Sequence, residues 1–121
     1  MLRTEDQVIQ RYIDRPLIID GKKHDLRLYM LIASVDPLIV FLNEEGLARF
    51  CSEDYTHPNN ANSEKNSHLT NYSLNKNSEN FVITNDLTEI NNGSKRTLTS
   101  YWKSVAKAGY DVDEVNTIIL Y

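Results

Sequence analysis

Three charged residues alternate along an apolar stretch in the first third of the chain. Lys23, Asp25 and Arg27 are separated by single residues in the run KKHDLRLYM, so on a β-strand they share one face. A lysine on such a face suits phosphate oxygens, a carboxylate suits hydroxyl groups, and a guanidinium suits a second anion. The alternative is the solvated outer face of a half-exposed sheet, which the alternation taken alone favours.

Further candidate binding groups occur in three short segments. Arg49 lies among apolar residues in GLARF and could bind a carboxylate or phosphate bidentately, or could lay its stem along an edge strand. Lys95 and Arg96 follow a Gly-Ser turn and could close over an anion, or could be two solvated surface cations. The segment HLTNYS concentrates hydroxyl and amide groups that could hold a nucleotide or a metal-bound phosphate, or could form a turn with local caps. Its polar members are His68, Thr70, Asn71, Tyr72 and Ser73.

The sequence contains no familiar metal-binding or nucleophile motif. The three histidines (His24, His57 and His68) and the single cysteine, Cys51, have spacings that match no zinc pattern. A Ser-His-Asp arrangement with its turn signature and a Walker-type phosphate loop are also missing. One cysteine excludes an internal disulfide.

Antiparallel strands are predicted to carry the charged face. Four apolar residues recur with period two opposite that face, namely Leu26, Leu28, Met30 and Ile32. Asp36-Pro37 predicts a turn into a buried strand over Leu38–Leu42, and a second turn leads to a third strand over Leu47–Phe50. These segments predict a meander of two or three antiparallel strands. Short strands are also predicted over residues 7–13 and 81–84, and an exposed loop over residues 52–67.

Two helices are predicted at the C-terminal end. Residues 97–108 have an apolar stripe at helical spacing, with Thr97 or Thr99 as N-cap and Gly109 beyond the last turn. The stripe consists of Leu98, Tyr101, Trp102 and Val105. A second helix is predicted after Asp111. Strands and helices together give an α+β class.

Length, charge and hydropathy exclude several classes of protein. A chain of 121 residues forms at most one domain, and its net charge of −4 with a pI near 5.3 argues against general nucleic-acid binding. The N-terminus lacks the pattern of a secretory signal, and no apolar run approaches the roughly 20 residues that span a bilayer. We therefore expect a soluble protein of a reducing compartment, with neither nucleic-acid nor membrane partners.

Several ordered blocks resemble a known family. QRYIDRPLIIDGKKHDLRLYMLIASVDPL, EEGLARF, HLTNYSLNK and GSKR occur here in the same order as in the tubulin tyrosine ligase-like family. They are most similar to its glutamate-adding branch, the tubulin polyglutamylases. The resemblance implies a partial ATP-grasp fold over residues 1–121, with the N- and C-terminal parts of that domain outside this chain.

The resemblance also implies an activity, which is ATP-dependent ligation of glutamate to glutamate side chains of tubulin tails through an acyl phosphate, with Mg²⁺. By position, the segment that packs against adenine is Gln10, Arg11, Tyr12 and Ile13. The further ATP contacts are Lys23, Asp25, Thr70 and Asn71. The pocket for the incoming glutamate is Arg49, Tyr72, Ser73 and Lys95. Arg27 is the expected catalytic residue, because its guanidinium suits the charge that builds in phosphoryl transfer.

Two departures from the family pattern qualify this expectation. His24 stands where the family usually has phenylalanine, and we expect it to point to the core. The family's magnesium ligands lie beyond this chain, so no metal ligand is expected in it.

The expected partners are tubulin or microtubules and free L-glutamate, in the cytoplasm at the cytoskeleton, including the cilium or basal body. The alternatives are a non-catalytic, truncated paralogue that binds nucleotide or tubulin, and a small β-rich binding domain unrelated to ligation.

Overall fold

The computed structural model describes residues 7–58, 64–83 and 93–120 of the chain. Its strands are β1 (Ile18–Ile19), β2 (Lys22–Arg27), β3 (Met30–Val35), β4 (Leu38–Leu42), β5 (Leu47–Phe50) and β6 (Lys95–Thr97). Its helices are α1 (Lys65–His68), α2 (Tyr72–Asn75), α3 (Leu98–Lys107) and α4 (Val112–Leu120). The α+β class, with an antiparallel sheet and C-terminal helices, is confirmed and is consistent with a partial ATP-grasp fold.

The main sheet consists of four strands in the order β1-β2-β5-β6, and every neighbouring pair is antiparallel. Helix α3 packs against one face of this sheet, and α4 packs against α3. Because side chains alternate between the two faces of a strand, half of each central strand points towards α3 and forms the core. The buried apolar residues of that core are Ile19, Ala48, Phe50, Leu98, Tyr101 and Val105.

Local sequence signals explain the best-defined turns and helix ends. Asp20 and Gly21 have φ angles of 51° and 74°, the positive values that the tight hairpin turn between β1 and β2 requires. The Thr97 side chain accepts a hydrogen bond from the backbone N–H of Ser100 at the start of α3, as predicted for a cap. Gly109, with φ 87°, turns the chain after α3. Both predicted C-terminal helices are therefore confirmed.

The predicted turn at Asp36-Pro37 joins two antiparallel strands, as the meander requires, but the third strand of the predicted meander pairs elsewhere. The apolar alternation of β2 does not continue past Arg27, and β3 and β4 form a separate hairpin. Strand β5 pairs with β2 rather than with β4. Gly46 makes this return possible, because a Cβ atom at that position would lie 2.5 Å from the Arg27 carbonyl oxygen.

The β3–β4 hairpin is also more exposed than the sequence predicts. Leu38–Leu42 was expected to be a buried strand, but every residue in it is exposed. Met30 and Ile32 are exposed as well, at 65% and 57%, and so do not join the core as Leu26 does. A run of branched apolar residues predicts a strand correctly but does not say which surface covers it.

Three predictions about connecting segments are wrong. Residues 7–13 are exposed and form no strand, because a strand needs a neighbour for its backbone hydrogen bonds. The predicted exposed loop over residues 52–67 contains buried Ser52 and Ser67 and the start of α1, although residues 59–63 lie outside the described part. Residues 81–83 are not a strand, and Thr84 lies outside the described residues. Within the described ranges no helix has the length and apolarity needed to cross a membrane.

His24 occupies the core side of β2, as expected. Its ring lies 5.1 Å from the Phe50 ring and 5.0 Å from the Tyr101 ring, and its Nε2 is 3.0 Å from the Tyr101 hydroxyl. Burial, reinforced by the positive charge of Arg96, lowers the pKa of His24 below its ordinary value of 6.5. The folded protein therefore keeps this imidazole neutral.

The first prediction contrasts two phenylalanines in different surroundings. We expect Phe50→Ala to lower the free energy of unfolding by about 3–5 kcal/mol, because it empties a volume between the sheet and α3. Phe41→Ala removes the same atoms from a side chain that is 59% exposed in the hairpin, and should cost less than about 1 kcal/mol. Urea unfolding of both variants measures the difference, and equal losses would contradict this description of the core.

The second prediction concerns the pH dependence of stability. The unfolded chain binds a proton at His24 below about pH 6.5, whereas the folded chain resists it, so folding stability falls as the pH drops through this range. We expect His24→Phe to lose this part of the pH dependence. Urea unfolding between about pH 7.5 and 5 should show the variant gaining on the wild type as the pH falls. Parallel curves would rule out a buried neutral His24.

Candidate functional site

One face of the main sheet carries a row of charged side chains across three strands. Asp25 on β2 lies directly opposite Arg49 on β5, and Arg49 lies directly opposite Lys95 on β6. Residues directly opposite one another in an antiparallel sheet project from the same face. We call Asp25, Arg49 and Lys95 the charged row. Lys23 and Arg27 flank Asp25 on the same face by strand alternation, so the predicted charged face exists.

The strongest contact in the charged row is the ion pair between Arg49 and Asp25. Arg49 donates from Nε to Asp25 Oδ1 at 2.9 Å and from Nη2 to Asp25 Oδ2, which makes the pair bidentate. The Arg27 Nε lies 3.7 Å from the same carboxylate. Asp25 thus holds two guanidinium groups in place on one sheet face.

The charges of this row shift the pKa of Asp25. Burial would by itself raise the pKa of this carboxyl, but the hydrogen bond and positive charge of Arg49, a hydrogen bond from Thr70 and the charge of Arg27 together bring it below its ordinary value. The hydrogen bond to Asp25 in turn raises the pKa of Arg49. Both groups are therefore ionised at neutral pH.

Lys95, at the end of the charged row, lies against an aromatic wall. Its Nζ is 4.0 Å from the centroid of the Tyr72 ring, which in turn packs edge-on against Phe81 at 5.7 Å. Such cation–π contacts hold an ammonium group without neutralising its charge. A cavity of about 410 Å³ opens here, lined by Leu47, Tyr72, Phe81, Val82, Ile83, Lys95 and Arg96.

Lys23, next to the charged row, is held by the segment that precedes β1. Its Nζ donates to the Tyr12 hydroxyl at 3.0 Å and lies 4.4 Å from the centroid of that ring. The Tyr12 hydroxyl is also 3.0 Å from His68 Nδ1. The Tyr55 ring packs edge-on against His68, and the Tyr55 hydroxyl donates to the Asp14 carbonyl at 2.6 Å. These contacts fix residues 12–14 beside β2.

The structure brings most of the predicted site residues together. Lys23, Asp25, Arg27, Arg49 and Lys95 share one sheet face, Tyr12 contacts Lys23, Thr70 contacts Asp25, and Tyr72 contacts Lys95. The other predicted residues, Gln10, Arg11, Ile13, Asn71 and Ser73, are exposed around it. Their individual roles stay predictions.

The sequence suggested that Arg96 is either a solvated surface cation or a group that closes over an anion. The structure supports neither role. This arginine is buried, donates from Nη1 to Asp20 Oδ2 at 2.6 Å and to Ser104 Oγ at 2.9 Å, and stacks its guanidinium 4.0 Å from the Phe50 ring. Strand alternation therefore gives adjacent cations opposite tasks, with Lys95 on the charged face and Arg96 in the core.

Sequence reasoning missed two residues that position the site. Asn75, which lies in the block HLTNYSLNK but has no predicted role, is buried and bonded to Ser52 and to the segment around Thr70. Tyr55, which lies in the segment read as an exposed loop, packs against His68. Neither has a periodic neighbour pattern, so no sequence signal could have identified them.

The described residues contain neither a cluster of three metal-ligating side chains nor a reactive thiol. In residues 7–58, 64–83 and 93–120, no three His, Cys, Asp or Glu side chains come together as a metal site requires. Burial raises the pKa of Cys51 to about 11, so its thiol is protonated at neutral pH. The chemistry available on this face is that of fixed cations and hydrogen-bonding groups.

Comparison with known proteins identifies the relatives of the chain. The sequence model of the tubulin-tyrosine ligase family matches residues 1–120. The chain is 49% identical over 112 residues to tubulin polyglutamylase TTLL6 of Mus musculus, which covers 92% of this chain and 13% of that protein. It is 47% identical over 116 residues to tubulin polyglutamylase ttll6 of Danio rerio, covering 95% and 14%.

A relative of lower identity is also named a polyglutamylase. The chain is 42% identical over 113 residues to a probable beta-tubulin polyglutamylase of Tetrahymena thermophila, covering 93% of this chain and 10% of that protein. The chain thus spans only 10–14% of the length of these three relatives.

The third prediction tests the ion pair of the charged row through its pH dependence. Because the folded-state pKa of Asp25 is depressed, its stabilisation is fully present above the unfolded pKa of 3.8 and is lost as the pH falls through the folded pKa. We expect Asp25→Asn to lower the free energy of unfolding at pH 6, and the gap to the wild type to shrink progressively as the pH falls below 3.8. Urea unfolding against pH measures the gap, and a gap independent of pH would contradict an ionised Asp25–Arg49 pair.

Proposed function

The chain belongs to the tubulin-tyrosine ligase family, and we propose that it is the central part of an ATP-grasp domain that ligates glutamate to glutamate side chains of tubulin tails. The relatives named above are called tubulin polyglutamylases, which supports this activity for the complete protein. The 121 residues then contribute one wall of the site. The remaining walls belong to parts of the domain outside this chain.

The charged face is the observation that carries the proposal. It gathers four cations, Lys23, Arg27, Arg49 and Lys95, around one carboxylate, in a chain whose net charge is −4. The substrates of such a ligase are a nucleoside triphosphate and a free dicarboxylic amino acid, and both are anions. A cationic surface on a rigid sheet attracts and orients both of them.

The nucleotide half of the site uses the β2 side of the face. Residues 10–13 run beside β2 and are held there by the Tyr12–Lys23 contact, so Gln10, Arg11, Tyr12 and Ile13 supply the edge against which adenine packs. Lys23 and Asn71 reach phosphate oxygens. Asp25 accepts hydrogen bonds from the nucleotide, and Thr70, which lies close enough to Asp25 to help lower its pKa, donates to it.

The glutamate half of the site uses the β5–β6 side. A free glutamate presents two carboxylates, and Arg49 and Lys95 are two cations on adjacent strands, directly opposite one another. A guanidinium has five N–H donors, and Asp25 uses only two of those of Arg49, so donors remain for a carboxylate. Tyr72, which lines the cavity beside Lys95, and its exposed neighbour Ser73 add hydroxyl groups for the bound glutamate.

The reaction proceeds in two steps. A carboxylate oxygen of the acceptor side chain attacks the γ-phosphorus of ATP, the bond to the β-phosphate oxygen breaks, and ADP leaves with an acyl phosphate formed. The amine of the bound glutamate then attacks the acyl carbon, phosphate leaves, and the amine loses a proton as the amide forms. Arg27 stabilises the charge that builds on the transferred phosphoryl group. Mg²⁺ would neutralise phosphate charge, and the described residues supply no ligand set for it.

The proposed partners follow from this chemistry. They are tubulin or microtubules, as the acidic acceptor, and free L-glutamate. The proposed location is accordingly the cytoskeleton, and it includes the cilium or basal body as the family resemblance implies. Because the segment itself is acidic, attraction to the acidic tubulin tails has to come from the local charged face and from basic surfaces elsewhere in the protein.

The fourth prediction separates the two halves of the site in the complete ligase that contains this segment. Lys23→Met should weaken ATP binding at least about tenfold, because an ammonium–phosphate contact is lost. Arg49→Lys should raise the KM for glutamate about 10–100-fold while changing ATP affinity much less, since only bidentate binding of the carboxylate is lost. Nucleotide titration and steady-state incorporation of labelled glutamate into tubulin measure both effects.

A surface lysine supplies the control. Lys107→Ala removes an exposed cation at the end of α3, which the proposal gives no role in the site, and should leave both constants unchanged. Normal glutamate incorporation by the Lys23 and Arg49 variants would contradict the proposal. Nucleotide binding without any incorporation by the complete wild-type protein would instead support a non-catalytic, nucleotide-binding paralogue.

A further inference from the structure

Asn75, at the end of α2, is a buried side chain with every hydrogen-bonding group in use. It is 1% exposed. Its Oδ1 accepts from the Ser52 backbone N–H at 2.8 Å and from Ser52 Oγ at 2.8 Å. Its Nδ2 donates to the Leu69 carbonyl at 2.7 Å and to the Asn71 carbonyl at 3.0 Å. We call these four hydrogen bonds the Asn75 bridge.

The hydrogen-bond partners of Asn75 require a side chain with an acceptor on one side and a donor on the other. A backbone N–H can only donate and a backbone carbonyl can only accept, so the oxygen of Asn75 must face Ser52 and its nitrogen must face Leu69 and Asn71. An aspartate of the same shape would place a second oxygen against two carbonyl oxygens. An alanine would leave the buried groups without their partner.

The Asn75 bridge joins the sheet to the segment that carries two proposed ATP contacts. Asn75 binds the carbonyls of Leu69 and Asn71. Asn71 is therefore held directly, and Thr70 lies between the two bonded residues. On the other side, Ser52 follows the end of β5, and its neighbour Cys51 donates its N–H to the Lys23 carbonyl of β2 at 2.9 Å. One amide therefore sets the distance between the Thr70–Asn71 segment and the strands that bear Lys23, Asp25 and Arg49.

We propose that Asn75 is a positioning residue for nucleotide binding, acting through Thr70 and Asn71 rather than by touching the ligand. This inference rests on the proposed function, because it takes Thr70 and Asn71 as ATP contacts. Thr70 lies close enough to Asp25 to help lower the pKa of its carboxyl, so the Asn75 bridge also maintains the contact that connects the segment to the charged row. Displacing such contacts by about an ångström is enough to weaken a preorganised site severely.

The experiment uses Asn75→Asp in the complete ligase, with Asn77→Asp as the matched control. Each variant adds one negative charge, and the two positions are only two residues apart. Asn75 is buried, whereas Asn77 is exposed. We expect Asn75→Asp to weaken ATP binding about tenfold or more and to raise the KM for ATP correspondingly, with a smaller change in kcat at saturating ATP. Asn77→Asp should change each value less than about twofold. Calorimetric titration with ATP and steady-state kinetics provide the numbers.

A cycle with the proposed ATP contacts distinguishes positioning from a general loss of folding. In a Thr70→Ala/Asn71→Ala background, Asn75→Asp should weaken ATP binding further by less than about threefold, because the groups through which it acts are gone. A full tenfold loss in that background overturns the inference. Unchanged ATP binding by Asn75→Asp in the otherwise wild-type protein also overturns it.

Two further variants cover the cases in which Asn75→Asp does not fold or the proposed ATP contacts are wrong. Should Asn75→Asp fail to fold, Ser52→Ala removes one of the four bonds and should weaken ATP binding about two- to threefold at unchanged melting temperature; no weakening would overturn the inference. Should Thr70→Ala/Asn71→Ala by itself leave ATP binding unchanged, the assignment of these two residues as ATP contacts is wrong, and the inference falls with it for that identifiable reason.

Discussion

The pairing of β2 with β5 is the constraint on which the rest of the structure depends. In this register His24 lies opposite Phe50 and Asp25 lies opposite Arg49, so one alternation sends aromatic rings to α3 and charges to the other face. A slip of β5 by one residue would place Arg49 on the core face, where an unpaired charge is costly, and Phe50 in water. The core and the charged face are thus two results of one register, and Gly46 allows it by letting β5 start beside the end of β2.

Buried polar interactions connect distant segments of this small fold. Arg96 ties the β1–β2 turn to α3 through Asp20 and Ser104, and Asn75 ties the end of β5 to the segment around Thr70. Buried polar groups of this kind are tolerated because each one is satisfied, and their directionality specifies one arrangement where apolar packing would permit several. The site of the proposed ligase is consequently held by hydrogen bonds between segments that are far apart in sequence.

Sequence reasoning succeeded where the signal was local. The two C-terminal helices, the Thr97 cap, the Asp20-Gly21 turn and the turn at Asp36-Pro37 were predicted and are present. The family was predicted from ordered blocks, and the match over residues 1–120 confirms it. Reasoning failed for the order of strand pairing, the exposure of Leu38–Leu42 and the predicted strand over residues 7–13, because each depends on which distant segment lies alongside. For the site, residue types and alternation predicted the shared face of Lys23, Asp25 and Arg27, but not the ion pair between Asp25 and Arg49.

The sequence by itself determined which residue types are available, which of them share a strand face, where the C-terminal helices begin, and to which family the chain belongs. These properties follow from chain geometry over a few residues or from the order of motifs. Only the tertiary structure decided that Arg49 faces Asp25, that Lys95 serves the charged face while Arg96 serves the core, and that Asn75 bridges two segments. The physical reason is that hydrogen bonds and ion pairs act over about three ångströms, and only folding brings residues separated by tens of positions that close.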